Sequence, residues 1–246
     1  MDVVTLLLVV AAYLLAGFVK GVIGMGLPTV AIGILAIVMT PAQAAAILIA
    51  PSLATNIWQA LAGPYFLPLL KRLAGMLIGI WVGGWFGAGI LTGANAKLGS
   101  FGLGLALVAY ALLGLSKIRF SIPPHAEIWA GPVVGVATGF IMAATGIFVI
   151  PALPYLHAIG LEKDELVQAL GIHFTMSTFA LAAVLWSGGA FDSSLGMLSL
   201  VAILPAMLGM MLGQKARARV SVETFRFWLF VGLLILGGQL VVRNVM

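Results

Sequence analysis

The sequence predicts an all-α polytopic membrane protein made of two inverted five-segment repeats with short broken or re-entrant helices. Three observations predict it. First, the 246 residues are 63% hydrophobic and only 8% charged, against roughly 45–50% apolar and about 25% charged in a soluble chain; mean hydropathy is +1.20, so water cannot solvate most of the surface. Second, the apolar stretches run to helix length and not to about ten alternating residues, which excludes a barrel. Third, motifs of one half recur in the other.

Read between charges and Gly/Pro breaks, the segments are Val3–Val19, Leu27–Met39, Ala44–Ala62, Leu73–Leu91 and Gly99–Leu115, then Trp129–Ile141, Ile147–Gly160, Leu166–Trp186, Leu195–Leu212 and Phe227–Val242. The first is read as a span and not a signal peptide, because Asp2 precedes it without Lys or Arg and no small-residue cleavage site follows. The polar link Lys117–Glu127 divides one membrane domain into repeats 1–120 and 121–246. Gly17-Phe18 and Gly24 recur as Gly139-Phe140 and Gly146, and Ala36-Ile37 as Ala158-Ile159. Gly79, Gly83 and Gly102-Leu103 recur as Gly209, Gly213 and Gly232-Leu233.

Lys71-Arg72, Lys117 with Arg119, and Lys215 with Arg217 and Arg219 form three basic clusters, each pair separated by an even number of segments. All three then face the cytoplasm and both termini the periplasm. Five segments per half is an odd number, so the second half is inserted upside down relative to the first. The net charge of +5 belongs to these loops. It forms no continuous stripe, so no nucleic-acid partner is expected. The absence of cysteine removes disulfides, thiolate nucleophiles and Cys-ligated metals. No paired intramembrane aspartates and no His-Glu-x-x-His occur, so neither an enzyme, a metal site nor a cofactor is expected.

The first two segments of each half are expected to be short. Leu27–Met39, Trp129–Ile141 and Ile147–Gly160 reach roughly 20 Å, and Val3–Val19 about 25 Å, against a hydrocarbon core of about 30 Å. They either span with distortion or turn back as hairpins. Between them lie Gly-bearing breaks, Gly17 to Pro28 and Gly139 to Gly146. A broken helix leaves backbone N–H groups unpartnered at a positive helix end, and glycine lets an anion approach them. Gly21, Gly24, Gly26, Thr145 and Gly146 are therefore candidate donors. Gly79, Gly83, Gly87, Gly209 and Gly213 read as helix-packing positions instead.

Polar residues inside apolar segments complete the candidate site. Thr55, Asn56 and Gln59 on the third segment align with a cluster on the eighth that includes His173, Ser177 and Thr178; matched polar groups in both halves read as a lined cavity. Ser52 and Thr175 are expected to bond back to their own helix carbonyls. All acidic residues (Asp2, Glu127, Glu162, Asp164, Glu165, Asp192 and Glu223) lie in loops or termini, which argues against a cation carrier. Lys20 and His173 suit an anion, although Lys20 reads equally well as a cytoplasmic loop lysine. Glu162 to Glu165 reads as a turn capping the eighth segment, and Trp81, Trp85, Trp129 and Trp186 as interfacial anchors.

The run from Gly17 to Pro28 (Gly-Phe-Val-Lys-Gly-Val-Ile-Gly-Met-Gly-Leu-Pro) resembles the N-terminal signature of the TauE/SafE family of sulfite exporters and toluene-sulfonate uptake permeases. The run from Gln168 to Thr175, with Ser177-Thr178, is similar to the matching stretch of that family's second half. One departure stands out: many members carry Gly-x-Gly-Gly in the second break, where this chain has Thr145-Gly146-Ile147-Phe148, so a hydroxyl replaces an N–H there. The resemblance implies transport of sulfur oxyanions or organosulfonates across a bacterial inner membrane. The expected partners are a small anionic substrate and the lipid bilayer. A homodimer is compatible with the sequence, which sets no oligomeric state. The competing reading is a structural or assembly subunit without its own substrate site.

Overall fold

The computed structural model describes residues 3–92, 96–116, 118, 120–190 and 192–245; Asp2, Lys117 and Arg119 lie outside them. Among the described residues eleven helices follow in order: α1 Val3–Ile23, α2 Leu27–Leu35, α3 Pro41–Leu61, α4 Phe66–Arg72, α5 Ala74–Gly87, α6 Ala96–Leu115, α7 Pro124–Thr145, α8 Ala152–Ala158, α9 Lys163–Ser187, α10 Ser193–Ala216 and α11 Val222–Val245. Seven of those described are long and apolar enough to cross a membrane, and α4 with α5, bent by 59°, passes the same test only as a pair, as a broken span or a re-entrant loop. Trp85, Trp129 and Trp186 stand exposed on the perimeter.

Two length expectations are corrected. α1 and α7 have 21 and 22 residues, about 32 Å each at the helical rise, and so suffice to span. The shortness is confined to α2 and α8, nine and seven residues long, roughly 14 and 11 Å. The breaks are correspondingly narrower than the glycines suggest, covering 24–26 and 146–151. A third correction concerns the fourth segment: Lys71 and Arg72 do not precede it in a loop but close the extra helix α4.

Gly17, Gly21 and Gly139, which look like part of the breaks, serve helix crossings. α1 packs against α10 and α5 against α7. A methyl group at Gly17 or Gly21 would sit on the carbonyl oxygens of Ala206 or Met210, and one at Gly209 or Gly213 on those of Leu14 or Phe18. The same holds between Gly79 or Gly83 and α7, and between Gly135 or Gly139 and α5. Backbones this close are what small residues permit in lipid. α3 pairs with α9 and with α10, and α6 pairs with α11.

Capping chemistry sets the helix starts. Thr40 and Gln43 form a reciprocal box at α3 with Pro41 in the first turn, and Glu162 and Glu165 do the same at α9. Asp192 caps α10, where the Ser194 N–H holds its exposed carboxyl below the usual range. Arg72 donates to Glu127 through Nε (2.9 Å) and Nη2 (2.7 Å) and to the Ile159 carbonyl (2.7 Å). This fork ties the end of α4, the start of α7 and the end of α8 together at one end of the molecule.

Gln168 of α9 is buried, and its Nε2 donates to the carbonyls of Ala60 and Gly63 (both 2.7 Å) while its Oε1 accepts from the Tyr65 N–H (2.8 Å). It closes the C-terminal end of α3, where helical carbonyls lack partners. Gln168→Leu is expected to cost about 1–3 kcal/mol by orphaning the buried carbonyl, read as a lower unfolding temperature in detergent. An unchanged temperature would mean that another group takes over the cap.

Candidate functional site

Lys20 lies in the last turn of α1 and is 3% exposed. It is therefore part of a helix and not of a cytoplasmic loop. Its carbonyl accepts from the Gly24 N–H (2.7 Å), which closes the helix. Its Nζ donates to Thr55 Oγ1 (3.1 Å) and to Asn56 Oδ1. Asn56 Nδ2 donates to Ser52 Oγ (2.8 Å), which shares a hydrogen with Thr178 Oγ1 (3.0 Å); the Thr178 hydroxyl also bonds the Phe174 carbonyl (2.6 Å). A continuous polar chain thus runs from α1 through α3 to α9 across fully buried side chains.

Pro51 places that chain. Lacking an N–H, it loosens the α3 ladder, and the neighbouring Ala50 N–H donates to Ser199 Oγ on α10 (2.9 Å). The Pro51 carbonyl accepts Thr55 Oγ1 (2.8 Å), which fixes the rotamer that faces Lys20. The expectation that Ser52 bonds only to its own helix is corrected, because its hydroxyl bridges Asn56 and Thr178. Thr175 does bond back, to Gly171 (2.7 Å).

His173 and Ser177 stand one turn apart on α9, on one face. The imidazole Nε2 lies 2.8 Å from the Phe148 carbonyl in the second break. Among the described residues, His173 Nδ1 and Ser177 Oγ are buried and have no hydrogen-bond partner. Phe174 packs between the two clusters, its ring 6.0 Å from Lys20 Nζ and 5.1 Å from the His173 ring. Phe148 and Phe174 escaped the sequence reading because an aromatic in an apolar segment carries no polar signal; adjacency to Gly146 and His173 was the only hint.

The other candidates are placed differently. Gln59 Nε2 donates to the carbonyls of Gly24 (3.1 Å) and Val167 (2.9 Å), binding the first break to α9. Gly24 and Gly26 have φ of 82° and 101°, a region that glycine enters without strain. Gly26 caps α2, and the ladder starts only at the Val30 N–H; the Leu27 and Thr29 N–H groups therefore precede it, at the positive helix end. Thr145 donates to the Ile141 carbonyl (2.7 Å) and accepts from the Ile147 N–H (3.1 Å), holding the second break. Gly146 faces Ile32 and Ala45, and Gly21 faces α10; neither is brought to the Lys20 chain.

Two cavities flank the α6–α11 pair. One, of about 770 Å³, is lined by Tyr110, Leu153, His157 and Arg226 among others, and the second, of about 350 Å³, by residues that include Met39, Ser100 and Arg243. Tyr110, in the wall of the first, donates to Met25 Sδ in the first break (3.6 Å).

The chemistry of the cluster is defined by what Lys20 lacks. A buried ammonium costs several kcal/mol unless an opposite charge meets it. Both partners of Nζ are neutral, and among the described residues the ion pair present is Arg72 with Glu127. Neutral acceptors orient the amine but offer no counter-charge to an ammonium at this position. Among the described residues no three His, Asp or Glu side chains converge to hold a metal. A family model described as sulfite exporter TauE/SafE matches residues 9–240, nearly the whole chain. No curated protein and no solved structure is matched.

Proposed function

Because the chain belongs to the TauE/SafE sulfite exporter family, we propose that it moves a small sulfur oxyanion or organosulfonate across the bacterial inner membrane, with Lys20 as the substrate's buried counter-charge. The observation that carries this reading is the burial of Lys20 among neutral partners alone. An oxyanion in reach of Nζ compensates the ammonium, while Asn56 Nδ2, Ser177 Oγ and His173 supply further hydrogen-bonding groups, and Thr55 and Thr178, whose hydroxyls donate to Pro51 and Phe174, position Lys20 and Ser52. Gly24 and Gly26 open the first turn of α2, whose free N–H groups add a positive end. Thr145 and Gly146 shape the opposite break. Gln59 fixes the first break in place. Gly21 has its open side occupied by α10.

The reading includes two inverted halves, 1–120 and 121–246, and the reciprocal pairing of α1 with α10 and α5 with α7 supports it. Periplasmic termini accord with the basic loops. Arg72 lies at the end of the molecule where the 116–123 link meets α8 through the Ile122 N–H and the Ala158 carbonyl (2.9 Å), and α11 starts beside the same cavity.

Thermal unfolding of the purified protein with sulfite, thiosulfate, simple sulfonates and carboxylates tests the substrate class, and stabilisation by the sulfur anions over carboxylates is expected. In proteoliposomes, Asn56→Ala is expected to lower the flux of the stabilising anion at least about tenfold, the effect of one lost hydrogen bond to a charged group. Full flux in Asn56→Ala and in His173→Ala together would place the site elsewhere.

A further inference from the structure

The geometry points to a proton site within the anion site: His173 Nδ1 takes up one proton with each oxyanion bound, so that anion and proton occupy the protein together. This inference rests on the proposed function and deepens it.

A carbonyl oxygen only accepts, so the imidazole nitrogen facing Phe148 must carry a hydrogen. In the neutral ring the other nitrogen, Nδ1, is then a bare acceptor. It is buried without a partner, as is Ser177 Oγ one turn further along the same face. Unpartnered buried polar atoms are rare, and two of them on one helix face beside the Lys20 cluster offer polar contacts to an anion. Charge constrains how the anion can meet them. A fully ionised oxyanion offers lone pairs alone, which repel the lone pair of Nδ1. The two become complementary only when a hydrogen lies between them. Protonation makes both ring nitrogens donors, with Nε2 still on the Phe148 carbonyl and Nδ1 on the anion. Ser177, donor and acceptor at once, serves the same ligand. The proton comes from solvent and returns to solvent when the anion leaves. No bond other than N–H is made or broken.

The titratable group sharing this cluster is Lys20, beyond Phe174 on the α1 side. The partners that α3 and α9 contribute, Ser52, Thr55, Asn56 and Thr178, do not titrate. On the other helices packed against α9, the ionisable groups His125, Glu127, Tyr155 and Arg72 stand with the Arg72 fork end, Lys71 adjoins Arg72 on α4, and His157 of α8 bonds the Leu153 carbonyl and lines the cavity beside α11. A hydrogen between Nδ1 and the ligand could also arrive on the ligand itself, as in hydrogen sulfite, so a sulfonate that does not titrate separates the two sources.

The test is calorimetric titration of the full chain in detergent with methanesulfonate and with sulfite, near neutral pH, in two buffers of different ionisation enthalpy. The difference in heat between buffers gives the protons taken up per anion. With methanesulfonate the expected uptake is about one proton in the wild type and none in His173→Gln, whose amide can still donate to the Phe148 carbonyl; His173→Asn serves if the Gln variant fails to fold. Binding of methanesulfonate without proton uptake overturns the inference and leaves the anion site standing. Uptake that persists in His173→Gln assigns the proton to a group other than His173 and also overturns it. Uptake absent with methanesulfonate but delivered with sulfite shows that the ligand brings its own hydrogen, against the assignment to His173. No binding of either anion counts against the proposed function itself.

Discussion

Lys20→Met is expected to abolish anion binding and transport while leaving the ligand-free protein at least as stable as the wild type. The two effects have opposite signs for one reason. Without substrate, the variant removes a buried ammonium whose desolvation costs several kcal/mol. Against that gain stands the Asn56 Oδ1 acceptor left unpaired, at about 1–3 kcal/mol. Asn56 keeps its bond to Ser52 (2.8 Å), so the α3–α9 part of the chain survives. With substrate, the loss is that of one partner in a buried charge pair, about 2–5 kcal/mol, which corresponds to roughly thirtyfold to several thousandfold in affinity. Unfolding temperatures with and without sulfite, beside proteoliposome flux, measure both terms. A variant that is much less stable yet still stabilised by the anion would make Lys20 a structural lysine and remove it from the site.

The second large effect concerns the crossings. Gly83→Ala is expected to destabilise the fold severely, because the added methyl would overlap the Val136 carbonyl on α7. The obstacle is backbone on both sides, so no rotamer change relieves it and the helices must part. Overpacking costs about 1–3 kcal/mol where side chains can shift, and here they cannot. Gly232→Ala is the matched comparison: nothing lies within 4 Å of its added methyl, and alanine favours a helix by about 1 kcal/mol. Thermal unfolding and the yield of monodisperse protein should therefore fall for the first and hold or rise for the second. Equal behaviour of the two would mean that α5 and α7 do not rely on close approach.

Much of this architecture was legible in the hydropathy of the chain, because lipid demands long apolar helices and leaves few alternatives. The lengths of α1 and α7 were not. Gly17, Gly21 and Gly139 could signal a helix ending or two helices touching, and a linear sequence carries the same letter for both. The second partner, α10 or α5, decides between them. Gly24, Gly26 and Gly146, by contrast, do end helices. The bend between α4 and α5 was hidden because Lys71 and Arg72 resemble a loop when the Glu127 and Ile159 partners of Arg72 are unknown. In the site, recurrence across halves singled out Thr55, Asn56, Ser177 and Thr178, and the absence of core carboxylates singled out Lys20. That Ser52 is the bridge between Asn56 and Thr178 depends on the crossing of α3 with α9, which no local pattern encodes.

The reciprocal pairing of α1 with α10 and α5 with α7 also dictates the order of biogenesis. When the ribosome has delivered only the first half, α1 and α5 already sit in the bilayer, yet the grooves meant for their glycine faces have not been translated. The early chain must wait beside the translocon with those faces turned to lipid or to an insertase, α5 until α7 emerges and α1 until residues beyond 200 do. Cutting the gene at the 116–123 link and expressing both pieces together should therefore yield a working protein, whereas either piece alone should be degraded.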